Sequence, residues 1–195
     1  MRLIAAGLLI VGALAAVGFA RREDRMREQG RLAAVASELA GRPVGVRCPG
    51  FFKSLVRVRT EAGYVKFDPD GRPASVTELA PETCSALRHI HRVDFSCLAH
   101  DACGFKEFKV AWAADTLAHE SFHLRGFRAE AIAECYAVQN TAFVAERLGV
   151  DDPTARQLQR WVFTDGYPNE PEEYRSDECR DGGRLDLRPQ SSVFP

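Results

Sequence analysis

Two histidines, His119 and His123, stand four residues apart in the segment Leu117-Ala118-His119-Glu120-Ser121-Phe122-His123-Leu124-Arg125-Gly126. On a helix, residues i and i+4 share one face one turn apart. This spacing lets two imidazole nitrogens reach one zinc ion. Glu120 lies beside them, where a carboxylate can hold and deprotonate a metal-bound water. Two nitrogens alone do not make a stable protein zinc site, so a third ligand is required. Acids follow at Glu130 and Glu134, themselves one turn apart.

The elements that must position these groups are two helices covering about residues 106–146. On a helical wheel Asp115, Trp112 and Phe108 fall on the histidine side of the first, and Leu117, Leu124, Val110 and Ala113 on the other. A helix apolar on both sides is a buried helix, and inward-facing histidines need polar partners. Gly126 supplies a C-cap. The second helix begins near Arg128 and carries Glu130, Glu134, Ala137 and Thr141 on one face, with Ala133 close by. Two carboxylates among small residues suit close packing against a helix that holds a cation.

Over roughly residues 106 to 146 the chain resembles the HExxH zinc metallopeptidases, the zincins. Glu130-Ala131-Ile132-Ala133-Glu134 is similar to the ExxxD element of gluzincins. That likeness implies Glu130 as third zinc ligand and Glu134 as the acid that hydrogen-bonds a ligand histidine. Glutamate stands at 134 where gluzincins have aspartate, and the six residues between His123 and Glu130 are fewer than usual. The short spacing instead resembles the metzincin turn HExxHxxGxxH, in which a glycine doubles the chain back onto the metal. Gly126 fits that turn, but position 129 is alanine and the acid comes one residue later. Glu130 and Glu134 therefore both stand as candidate third ligands. The resemblance further implies a small sheet beside the metal helix, with an edge strand lining the substrate cleft. It also implies a late side chain that stabilises an oxyanion, for which Tyr167, Tyr174 and His100 are the candidates.

The whole chain has 195 residues, 46% hydrophobic and 27% charged, which fits one modest globular domain and a hydrophobic leader. A net charge of −1 gives no basic footprint for nucleic acid. There is no internal repeat and no Gly-rich phosphate loop after a candidate strand. Leu3 to Ala20 is uncharged and mostly apolar, just long enough to cross a bilayer. It also resembles a signal peptide, with Ala13-Leu14-Ala15 or Gly18-Phe19-Ala20 as cleavage sites. The expected division is a signal peptide or membrane anchor at 1–21, a juxtamembrane helix at 22–43 and a zincin-like domain at 44–195. Arg21, Arg22, Arg25 and Arg27 outweigh Arg2, a bias that would keep the domain in the cytoplasm. Six dispersed cysteines with no C-x-x-C pair argue the other way, for three disulfides in an oxidising compartment. Cys97 with Cys103 closes the shortest loop. On the cysteines, the domain is placed outside the cytoplasm, membrane-anchored or secreted.

Elsewhere, Leu32, Val35, Ala36 and Leu39 have helical spacing in a segment stopped by Gly41-Arg42-Pro43. Phe51 to Thr60 and Tyr64 to Phe67 read as strands, and Asp68 to Pro73 as a turn. Pro81 to His91 reads as a helix start with Thr83 or Ser85 able to cap, and Thr154 to about Phe163 as a helix behind Pro153. The tail from Asp165 should be irregular. His89 and His91 have no second ligand at useful spacing. The fold class expected is α+β, mostly helical, with a small β-hairpin or sheet beside a buried metal-site helix pair and an N-terminal hydrophobic helix. The function expected is a zinc (Zn2+) metallopeptidase with His119, His123 and Glu130 as ligands and Glu120 as base. Its substrate would be a peptide or protein, its membrane contact residues 3–20, and no nucleic acid would bind. Two other classes stand beside it: a metal-binding but inactive membrane-anchored structural or regulatory domain, and a disulfide-held helical domain without metal.

Overall fold

Every residue from Val110 to Leu124 except Trp112 is buried, and the rest of the fold is the set of elements that bury them. The structure is a computed structural model that describes residues 2–49, 62–100, 102–191 and 193–195, with the side chains of 2–20 outside the description. In chain order the elements are helix α1 (Arg2–Ala40), strands β1 (Gly45–Arg47), β2 (Gly63–Phe67) and β3 (Pro73–Leu79), and helices α2 (Pro81–His89), α3 (Phe105–Arg125), α4 (Glu130–Val138), α5 (Thr141–Arg147) and α6 (Asp152–Trp161). The described chain is mostly helical with one small mixed sheet. α1, α2, α4, α5 and the sheet all pack on α3. Ala111, Ala114 and Ala118 let them approach closely, and none of the three is exposed.

Helix α1 runs without a break through the apolar segment 3–20 and on to Ala40, across the expected boundary at residue 21. Leu32, Val35, Ala36 and Leu39 are buried, as their spacing requires, and Gly41 ends the helix at φ 67°. Among the described residues no helix is long and apolar enough to cross a membrane; the expected span at 3–20 falls on undescribed side chains. Arg42, just past the helix, donates from Nε and Nη2 to the carbonyl of Leu124 at 3.1 and 2.8 Å, and from Nη2 to that of Ala74 at 2.9 Å. It thus satisfies an otherwise open carbonyl at the end of α3 and ties it to β3.

The strand order is β1-β3-β2, with β1 parallel and β2 antiparallel to β3. The Asp68–Arg72 turn closes a hairpin: Gly71 N–H donates to Asp68 O and Asp68 N–H to Arg72 O, both at 2.9 Å. That hairpin joins Tyr64–Phe67 to Pro73–Leu79; the expected strand Phe51–Thr60 lies outside the described residues. β3 was hidden in the sequence by its opening proline and its short polar residues; of its seven residues Thr77 and Leu79 are buried. Helix α2 is led by Ala80 and Pro81 without a side-chain cap. Thr83, an expected cap, instead donates to Ala62 O at 2.9 Å, binding the helix to the start of β2.

Three disulfides close the chain, Cys48–Cys84, Cys97–Cys103 and Cys135–Cys179, and no cysteine is free. Such a complete set is the pattern of proteins from oxidising compartments. α6 continues into a π turn at Val162–Gly166 and two 3-10 turns, Tyr167–Asn169 and Glu172–Tyr174.

Candidate metal centre

The α3–α4 corner determines where the acids fall. Gly126 takes φ 118°, its N–H donates to His123 O at 2.9 Å, and Phe127 N–H reaches back to Phe122 O at 3.2 Å. This pair of bonds is the Schellman closure of a helix end. It turns the Phe127 carbonyl onto the ring of His123, whose Nδ1 lies 2.7 Å away. Ala129 stays extended, so α4 starts at Glu130 rather than near Arg128. Glu130 is then in the first turn, facing both histidines.

A carbonyl can only accept, so Nδ1 of His123 carries the hydrogen and its Nε2 holds a lone pair when the ring is neutral. That Nε2 is 3.0 Å from Glu130 Oε2. His119 is arranged alike: Nδ1 is 2.7 Å from Glu134 Oε2 and Nε2 is 3.0 Å from the same Oε2 of Glu130. Two imidazole nitrogens and a carboxylate oxygen thus converge, all ligand atoms within 4.8 Å of one another. Lone pairs brought this close repel unless positive charge lies between them. Without a metal, a proton can supply that charge. Burial works to keep His119 neutral, but hydrogen bonds to Glu130 and Glu134 outweigh it and raise its pKa to about 10. Hydrogen bonds from His119 and His123 hold Glu130 down at about 2. A metal ion can replace those protons. A tetrahedral zinc about 2.0–2.1 Å from each ligand would separate ligand atoms by about 3.3 Å, close to the 3.0 Å between Glu130 Oε2 and each Nε2. The donor set can therefore hold a metal ion, and Glu134 and the Phe127 carbonyl fix the rings from behind, as ligand histidines require.

Glu120 is 3% exposed. Burial pushes its carboxyl up to about 7, against the pull of His119 and His123. Thr77 Oγ1, which donates to Tyr64 O at 2.9 Å, lies 3.3 Å from Glu120 Oε2. A Cβ at Gly63 would meet the Cγ and Oε1 of Glu120 at 2.8 Å, so only glycine lets β2 pass this close. Neither Thr77 nor Gly63 carries a sequence signal for the site; the sheet brings them there.

No family model, curated protein or solved structure matches the chain. What the site can do therefore rests on its own geometry.

The three late candidates fall in different places. The ring of Tyr174 lies 5.7 Å from that of His119, centroid to centroid. Burial, then the charges of Glu130 and neighbouring acids, push its phenol up to about 12, so it remains a donor. The hydroxyl of Tyr167 is engaged elsewhere, accepting from Ser176 N–H at 2.8 Å. His100 is exposed at the end of the 3-10 turn Ser96–His100 and lies outside the converging group. His89 and His91 are exposed too; Nδ1 of His89 is 2.9 Å from Ser85 O. A cleft of about 1260 Å³ runs along the N-terminal half of α3, lined by Phe108, Trp112 and Thr116 and by Ala62 and Glu170. It stops one turn short of Glu120, and the ligand atoms are not part of its wall.

Proposed function

We propose that the chain is a zinc-dependent metallopeptidase, with His119, His123 and Glu130 as ligands and Glu120 as the general base. The observation that carries this reading is the convergence of both Nε2 atoms on one oxygen of Glu130, each at 3.0 Å, while both Nδ1 atoms are held by acceptors. The likeness of residues 106 to 146 to the HExxH zincins supports the choice of reaction; fold alone would not. Zinc supplies Lewis acidity, which makes water acidic near neutral pH and polarises a carbonyl. Glu120 takes the proton from water and returns it to the leaving amine. Tyr174, a protonated phenol above His119, donates to the oxyanion that develops on the substrate. Glu134 keeps His119 in the tautomer that presents Nε2. The neighbouring cleft offers room for a peptide chain. The three disulfides and the apolar segment 3–20 support a domain that acts outside the cytoplasm, anchored or released.

One observation favours the alternative of a metal-held structural domain: Glu120 is enclosed by Gly63 and Thr77 rather than open to solvent. Metal content and hydrolysis of unfolded protein, measured on the wild type and Glu120→Gln, separate the two. The peptidase reading expects stoichiometric zinc in both proteins and activity in the wild type alone. Zinc without activity in either supports the structural domain. No zinc in a folded wild type refutes both.

A further inference from the structure

Asp115 stands one turn before His119 on α3 and is 1% exposed. Thr141, fully buried at the start of α5, donates to its Oδ1 at 2.9 Å. The same carboxyl lies against Glu134. Glu134 Oε2 is taken by His119, but its Oε1 is buried with no hydrogen-bond partner among the described residues. A buried acceptor left open is unfavourable, and two carboxylates enclosed together cannot both ionise. One proton between them removes both costs. Burial first, and then the charge of Glu134, raise the Asp115 carboxyl well above the usual carboxylate range. Glu134 Oε2 accepts from His119 and Asp115 Oδ1 accepts from Thr141, so the proton lies between Glu134 Oε1 and the remaining oxygen of Asp115.

We propose that Asp115 is a positioning residue of the metal centre: held by Thr141, it donates a hydrogen bond to Glu134 Oε1 and so fixes the carboxylate that orients His119. The chain Thr141–Asp115–Glu134–His119 runs through buried side chains of α5, α3 and α4. It lengthens the support of one histidine by a link, whereas Nδ1 of His123 meets a main-chain carbonyl directly.

The inference rests on the metal reading, and its test carries one readout that needs no metal. Zinc affinity is measured by chelator competition for the wild type, Asp115→Asn, Asp115→Ala, Glu134→Ala and the double variant Asp115→Ala/Glu134→Ala. In the metal-free proteins, nitrogen-labelled histidine NMR follows the Nδ1 proton of His119. Asparagine keeps an acceptor for Thr141 and a donor for Glu134, so Asp115→Asn should retain wild-type affinity and the His119 signal. Asp115→Ala should bind zinc about 10-fold more weakly and shift that signal. Because Asp115 acts through Glu134, the double variant should bind no more weakly than Glu134→Ala. Equal losses in Asn and Ala, or additive losses in the double variant, would overturn the proposal. If Asp115→Ala does not fold, Thr141→Val carries the test, and an unchanged affinity and signal there would overturn it equally. A wild type that binds no zinc sinks the metal reading, and the histidine signal then decides Asp115 on its own.

Discussion

Replacing Gly126 by alanine isolates the contribution of the turn between the two site helices. At φ 118° and ψ 0° the residue occupies backbone space that a side chain strongly disfavours. Nothing lies within 4 Å of the place where a Cβ would stand, so no steric clash contributes and the penalty is conformational. Holding a non-glycine residue in such a region costs of order 1–3 kcal/mol. For a chain of this size each kcal/mol lowers the melting temperature by roughly 2–4 °C. The alternative to bearing that strain is to relax the turn, which moves the Phe127 carbonyl off His123 and shifts Glu130 at the head of α4. Gly126→Ala should therefore melt lower and bind zinc more weakly, and Gly126→Asn, whose side chain tolerates positive φ better, should lose less of both. Thermal unfolding of the metal-free proteins and zinc titration by chelator competition provide the readouts. An alanine variant as stable as the wild type, or alanine and asparagine variants that behave alike, would refute this account of the corner.

Three further outcomes are expected. Glu130→Ala should abolish stoichiometric zinc because it removes one of three ligands, whereas Glu134→Ala should weaken it roughly 10–100-fold; titrations in the opposite order would move the ligand to Glu134. Removing Cys135–Cys179, which spans 44 residues, should cost about 4 kcal/mol by loop entropy, and removing Cys97–Cys103, which spans 6, about 2 kcal/mol; denaturant titrations of the paired serine variants would show a reversed ranking if the entropy argument is wrong. Asp151 accepts from Thr154 N–H at the head of α6, and that bond holds its carboxyl below the usual value. Its contribution is then present above the unfolded-state pKa and lost as pH falls through the lower folded one, so Asp151→Ala should melt below the wild type at pH 7 and level with it near pH 2.

The parts of the site that were legible in the sequence are those set by local geometry. The histidine pair depends on a four-residue spacing within one helix, and Gly126 marks the end of that helix unaided. The short Cys97–Cys103 loop could be guessed, whereas Cys48–Cys84 joins the strand region to a helix 36 residues on, a pairing no local rule supplies. The choice between Glu130 and Glu134 stayed open because it turns on where α4 begins, and two residues there rotate the carboxylates by more than half a turn. β1 was invisible for a different reason. It has three residues and is held by a parallel partner some thirty residues later, so only tertiary packing makes it a strand. Tyr167 and Tyr174 read alike in sequence; they differ because the Ser176 backbone claims one hydroxyl.

Arg42 has a mechanical consequence. Its guanidinium grips the Leu124 carbonyl of α3 and the Ala74 carbonyl of β3 directly behind the end of α1. Tension or torque arriving along α1, as from a tether at its far end, would pass through that grip into the turn of α3 that carries His123. Gly41 alone would act as a swivel and let such a load dissipate; the fork one residue later converts the swivel into a rigid coupling. A lysine there could not transmit it in the same way, because one ammonium is a point donor on a flexible stem and cannot hold two carbonyls in a fixed plane.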